Sequence, residues 1–252
     1  MGGSNICNLP PPRDSCNTHS DNDAGFGSVP TDYAEIVVVR HGETAWNAEG
    51  RIQGHLDVEL NEAGRQQATA VADRLSKETK ISAVYASDLK RAFETACIIA
   101  SKCGVPEVIP DPNLRERHLG DLQGLTFQEA VKLKGDAYAA SMSESARTDQ
   151  EIPGGGESLD QVFNRCTSSL QSIAMKCIGK RVVVVTHGGV IREFHKRAAS
   201  EEKLQTKVLN TSVNVFHISR HGEWIIKSWG DISHLINTGF LETAFGGDGK
   251  SG

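Results

Sequence analysis

Several things are missing from this chain of 252 residues, and each absence removes a class of function. No Cys-x-x-Cys pair occurs, and no cysteine or histidine spacing matches a zinc site. The six cysteines are Cys7, Cys16, Cys97, Cys103, Cys166 and Cys177. The last two fall on the apolar side of a predicted helix, where small buried thiols are usual, which suits a reducing compartment. No apolar run approaches the roughly 18 residues of a membrane span, so no membrane partner is expected. Positive charge is not in excess: 27 Lys and Arg stand against 32 Asp and Glu, a net charge of −5. A nucleic-acid partner is therefore not expected. Residues 1–30 lack the apolar core of a secretory signal, and Arg13 alone faces Asp14, Asp21 and Asp23, the wrong balance for a transit peptide. With Pro10-Pro11-Pro12 at its centre, the segment 1–32 reads as a disordered tail of a cytoplasmic protein.

Two stretches read almost alike. Glu35-Ile36-Val37-Val38-Val39-Arg40-His41-Gly42-Glu43-Thr44 and Arg181-Val182-Val183-Val184-Val185-Thr186-His187-Gly188-Gly189 are each a β-branched run ending in His-Gly. Such runs suit strands buried on both faces of a parallel sheet. Ligands of open α/β sheets bind outside the carboxyl ends of the strands. If the two strands are neighbours, His41, His187 and Arg40 share that crevice, which suggests a phosphate site. A single strand-His-Gly would read as a hydrogen-bonded strand end; two copies shift the balance to function.

The rest of the chain alternates. A loop over 41–59 precedes a helix capped by Asn61, with Ala68, Val71, Ala72 and Leu75 on one face. A strand over 81–86 leads to a helix from Ser87-Asp88. A short strand over 105–109, a loop over 110–126 and a weaker helix over 127–140 follow. Residues 141–156 read as a surface loop, ending in Pro153-Gly154-Gly155-Gly156. Ser158 opens the clearest helix, and Gly179 stops it. A strand over 182–186, a helix from Gly188 through Ala199 and a hairpin over 213–229 complete the pattern. Residues 237–252 read as a loose tail. Strands alternating with helices predict an α/β fold, a three-layer α/β/α sandwich with a mostly parallel central sheet, in one domain over 33–236.

Taken together, Arg40-His41-Gly42-Glu43-Thr44, Ser87-Asp88-Leu89-x-Arg91-Ala92-x-x-Thr95-Ala96, Leu114-x-Glu116 and Thr186-His187-Gly188-Gly189 resemble the histidine phosphatase superfamily, the phosphoglycerate mutase-like fold. The likeness covers about residues 33–235 and is strongest to the plant proteins called phosphoglycerate mutase-like. It implies His41 as the nucleophile, since an imidazole nitrogen can attack phosphorus and hold the phosphoryl group. It implies Arg40 and Arg91 as guanidinium clamps, Asn47 as a phosphate-oxygen donor, and His187 as a second histidine, protonated against the phosphate. Gly188 opens a helix whose positive end faces an anion. Glu116 matches the proton donor to the leaving oxygen, its pKa raised by phosphate and partial burial. Thr44, Gln53 and Gly54, with Arg117 and His118, are substrate-side candidates. No metal and no cofactor is implied.

On the residues alone, Arg91 would be a solvated helix arginine, and Glu116 within Arg-Glu-Arg a surface ion pair. His55, His195, His217, His221 and His234 take no role. Asn210-Thr211-Ser212 is a glycosylation sequon in pattern only. Gly189 stands where phosphoglycerate mutases generally carry Asn, and 127–157 lacks paired arginines, so water is the expected phosphoryl acceptor. The expectation is a phosphomonoesterase acting on a small soluble phosphate ester. Mutase-type transfer is the alternative, and a binding-only module the third reading. The sequence does not set the oligomeric state; a homodimer stays open.

Overall fold

The computed structural model describes residues 31–142, 148–199 and 207–236. Residues 1–30 of the tail expected over 1–32, the tail expected over 237–252, and residues 143–147 of the expected surface loop lie outside that set; Thr31 and Asp32 form a turn before β1. In chain order the elements are β1 (Tyr33–Arg40), α1 (Ala45–Ala48), α2 (Glu62–Leu75), β2 (Ala83–Ala86), α3 (Lys90–Lys102), β3 (Val108–Pro110), α4 (Phe127–Leu133), α5 (Gly135–Met142), α6 (Leu159–Lys176), β4 (Arg181–Thr186), α7 (Gly188–Ala198), β5 (Val213–Ser219) and β6 (Trp224–Asp231). The expected loop over 41–59 contains a helical turn, α1. The single weak helix expected over 127–140 is two, with Lys134 non-helical between them. The helix expected from Ser87 begins at Lys90, because Leu89 is still extended.

The six strands form one sheet in the order β3-β2-β4-β1-β5-β6. β3, β2, β4 and β1 pair in parallel, and β5 runs antiparallel to both neighbours. The valine runs of β1 and β4 lie at its centre, where strands need apolar side chains on both faces. Alternation divides them. Ile36, Val38, Val182 and Val184 pack with Val162, Leu170, Ile173 of α6 and Ile191 and Phe194 of α7. Val37, Val39, Val183 and Val185 pack on the other side with Val71 and Leu75 of α2 and Ala92, Ala96 and Ile99 of α3. The architecture is the expected three-layer sandwich. A separate small cluster joins Ile52, Leu119, Leu122, Ala130, Ala137 and Ile152 beyond the sheet.

The register decides where the site falls. Arg40 pairs with Thr186, so His41 and His187 leave neighbouring strands at the same level. Ala86 pairs with Val185, which brings Ser87 to that edge on the far side of β4. Asn61 caps α2 as expected, its side chain accepting from the Gly64 amide at 2.7 Å. The α2 start is pressed against the loop after β1: a Cβ on Gly42 would stand 2.4 Å from the Gly64 carbonyl oxygen, and one on Gly64 would stand 2.0 Å from that of Glu43. Two glycines thus let the backbones touch where His41 turns out of its strand.

Candidate active site

His41 and His187 are fully buried, with ring centroids 5.1 Å apart. His41 Nδ1 lies 2.7 Å from the Gly42 carbonyl oxygen, so Nδ1 carries the proton and donates. Nε2 is left with its lone pair, buried and without a hydrogen-bond partner among the described residues. Burial first, then the charges of Arg91 and Arg40, hold His41 well below the usual histidine pKa. A neutral imidazole with a bare Nε2 is the form that can attack phosphorus.

His187 is held down the same way, by burial, then Arg91, then His41. In the field of the protein alone, without phosphate, this favours the neutral ring. Its Nε2 lies 2.8 Å from Ser87 Oγ.

Both pKa directions have a consequence for pH. In an NMR titration of the ligand-free protein, both imidazoles are expected to stay neutral as pH falls through about 6.5, the ordinary value. The unfolded chain would bind those protons, so stability is expected to fall as pH drops below about 6.5. Titration of either ring at or above that value would refute this account.

Arg91 is fully buried rather than solvated. Its Nη1 donates to the Leu56 carbonyl at 2.9 Å and its Nη2 to the Gly54 carbonyl at 2.8 Å, while Nε has no partner among the described residues. Burial draws its pKa down to about 10, which still leaves the guanidinium charged near neutral pH. Thr95 lies one helical turn on; its hydroxyl accepts from the Gly42 amide and donates to the Arg91 carbonyl. Arg40 is buried beside His41, and its Nη1 donates to the Val208 carbonyl at 2.7 Å. The Thr211 amide donates to the Arg40 carbonyl from a left-handed backbone (φ 55°), a strained state for a β-branched residue.

Thr44 caps α1 with Asn47 in a reciprocal capping box. The Thr44 hydroxyl also lies 3.1 Å from Gln53 Oε1. These bonds use the amide oxygens, and Asn47 Nδ2 and Gln53 Nε2 remain buried without partners among the described residues. Asn210 Nδ2 donates to the His41 carbonyl at 2.9 Å and holds the loop from behind. Gly54 serves Arg91 through its carbonyl. Gly188 opens α7, where an added Cβ would lie 3.6 Å from Arg40 Nε.

Glu116 is buried and makes no ion pair among the described residues; the neighbouring arginines are engaged elsewhere. Arg115 Nε donates to Asp88 Oδ1 at 2.6 Å, and Arg117 Nε to the Glu157 carbonyl at 2.9 Å. Glu116 Oε1 accepts from the Arg117 amide at 2.8 Å and Oε2 from the Gly189 amide at 2.9 Å, in the first turn of α7. An added Cβ at Gly189 would stand 2.2 Å from Glu116 Oε1. The backbone is gripped as well. His55 Nε2 donates to the Glu116 carbonyl at 2.6 Å, and Arg165 Nη2 donates to it at 2.8 Å. Arg165 also donates to the Asn113 and Arg115 carbonyls and pairs with Glu157. The Glu157 carboxylate accepts from the His118 amide, and the His118 Nδ1 accepts from the Gly120 amide.

The structure thus brings His41, Arg40, Arg91, Asn47, Gln53, His187 and Glu116 to one end of the central strands. Ser87, Thr95, Asn210, His55, Glu157 and Arg165 support them, although none was singled out for a role from sequence. Ser87 and Thr95 at least lie inside a recognisable motif.

These residues carry the motifs of a histidine phosphatase. The chain belongs to that superfamily: the model of its branch 1 matches residues 36–232. Phosphoglycerate mutase-like protein 4 of Arabidopsis thaliana is 64% identical, over 90% of this chain and 98% of that one. A metal-independent phosphoserine phosphatase of the same plant is 52% identical, over 88% of this chain and 92% of its own length. Among solved structures, a phosphoserine phosphatase mutant of Entamoeba histolytica in complex with phosphoserine superposes with a TM-score of 0.66 at 30% identity, covering 80% of this chain and 99% of that one.

Proposed function

We propose that the protein is a metal-independent phosphomonoesterase that hydrolyses a small soluble phosphate ester through a phosphohistidine on His41. The observation that carries this reading is the neutral, buried His41, whose bare Nε2 stands among the side chains of Arg40, Arg91, Asn47 and His187.

In the first step the Nε2 lone pair attacks phosphorus and the bond to the ester oxygen breaks. Protonated Glu116 gives its proton to that oxygen, and the alcohol leaves. Proton transfer of this kind contributes about 10²–10⁴-fold. The two guanidinium groups, Asn47 Nδ2 and the imidazole of His187 bear on the phosphoryl oxygens throughout. In the second step water attacks phosphorus, its proton passes to the Glu116 carboxylate, and inorganic phosphate leaves with His41 Nε2 bare again. The positive charge is the protein's own, so the chemistry asks for no metal ion.

Gly189 favours water as acceptor, as does a 127–157 segment without paired arginines. The relative acting on phosphoserine supports an anionic, small substrate of that kind, such as phosphoserine or a sugar phosphate. No helix among the described residues is long and apolar enough to cross a membrane. We keep the cytoplasmic reading that the sequence suggests. The purified chain is expected to hydrolyse p-nitrophenyl phosphate in EDTA, and one member of a phosphate-ester panel far better. Rapid isomerisation of 3- to 2-phosphoglycerate with negligible hydrolysis would overturn the proposal in favour of a mutase.

A further inference from the structure

Two buried imidazoles stand side by side, yet they must do opposite things. His41 has to present a lone pair, while His187 has to present a proton. His41 is set by the Gly42 carbonyl. Among the described residues, the partner that can set His187 is Ser87.

Ser87 follows β2 and His187 follows β4, and the parallel register of these strands puts both at the same edge. Both side chains are fully buried. The hydroxyl oxygen of Ser87 lies 2.8 Å from His187 Nε2 and accepts from the Leu89 amide at 3.3 Å. One hydroxyl has one proton to give. If Nε2 carried the proton, Ser87 Oγ would accept two N–H groups, and its own proton would have no acceptor among the described residues. His187 Nδ1 would then be a buried lone pair aimed at phosphoryl oxygens. With the hydroxyl proton on the Ser87–Nε2 bond, the hydroxyl and Nε2 are both satisfied, and Nδ1–H, without a partner among the described residues, is left for a ligand.

We propose that Ser87 is a positioning residue that fixes His187 as the Nδ1–H tautomer, making it an uncharged hydrogen-bond donor to the transferring phosphoryl group. The inference rests on the reading of this cup as the phosphoryl site. His41 and His187 are then the same tautomer turned about. One ring shows the site its Nε2 lone pair and the other its Nδ1–H, each directed by a single oxygen behind it. Burial and the neighbouring cations hold His187 well below the usual histidine pKa, which agrees with a single proton on the ring in the ligand-free protein.

The test is nitrogen-15 NMR of the full chain labelled at histidine, combined with kinetics. In the native protein the His187 signals are expected to show a protonated Nδ1 and an unprotonated Nε2. In Ser87→Ala the proton is expected to redistribute toward Nε2, with kcat falling about tenfold and KM little changed, as for the loss of one hydrogen bond. Ser87→Thr, which keeps the hydroxyl, is expected to restore both tautomer and kcat. A native His187 protonated at Nε2 would overturn the proposal, as would an unchanged tautomer in Ser87→Ala. The native spectrum decides even if that variant does not fold. Failure of the phosphoryl-site reading would show differently: His187→Ala would leave turnover intact whatever the tautomer.

Discussion

Gly189→Ala is expected to lower kcat by about 10²–10⁴-fold, the worth of a proton donor, although it adds one methyl group. The methyl would stand 2.2 Å from Glu116 Oε1 and 3.0 Å from Cδ. No side chain tolerates that approach, and this one cannot yield without loss. Both carboxylate oxygens are tied to amides, Oε1 to Arg117 and Oε2 to Gly189 itself. The carboxylate must swing off the start of α7, away from the leaving oxygen. The cost falls on one side chain rather than on the sheet, so the melting temperature should barely move. Alanine is also a better helix former than glycine. The decisive measurement is a double-mutant cycle with Glu116→Ala. With no carboxylate to displace, Gly189→Ala should cost little more. Native kcat in the single variant, or additive losses in the cycle, would show that Gly189 does not seat Glu116.

The larger loss is expected from His41→Ala. It removes the atom on which the phosphoryl group is held, so kcat should fall by on the order of 10⁴-fold or more. Acid-labile phosphate from labelled substrate should disappear from the protein. Ester binding should survive, because Arg40, Arg91, Asn47 and His187 keep their own partners in Val208, the 54–56 loop, Thr44 and Ser87. Calorimetry on the variant would measure that. Undiminished labelling would mean that another residue is the nucleophile.

What can be seen before the structure follows from how far each partner lies along the chain. The strand-His-Gly pairs are legible because an unbroken valine run calls for a central strand, and two such runs ending alike invite adjacency. Arg91 is only half legible. Its helix looks solvated, and what buries it is the loop whose Gly54 and Leu56 carbonyls take its protons. Glu116 is recognisable from its motif, but its surroundings are not. Arg165 reads as part of a polar face on α6, and the carbonyls it binds belong to a loop some 50 residues earlier. Ser87 sits inside the motif, yet its role depends on a histidine 100 residues away. Asn210 looks like a sequon, and the fold buries it against the back of His41. The charge of His187 illustrates a different limit. A motif supplies the residue, but the balance of burial and neighbouring cations that lowers its pKa exists only in three dimensions.

The small cluster around Leu122 and Ile152 lies apart from both layers that pack on the sheet. The two imidazoles are carried by the end of β1 and the start of α7, and Glu116 is anchored to the start of α7 through the Gly189 amide. The described residues over 120–142 and 148–152 contribute Leu122, Ala130, Ala137 and Ile152 to that separate cluster. Exchanging the residues seated on that cluster is therefore expected to alter the choice of ester while leaving both imidazoles on their own supports.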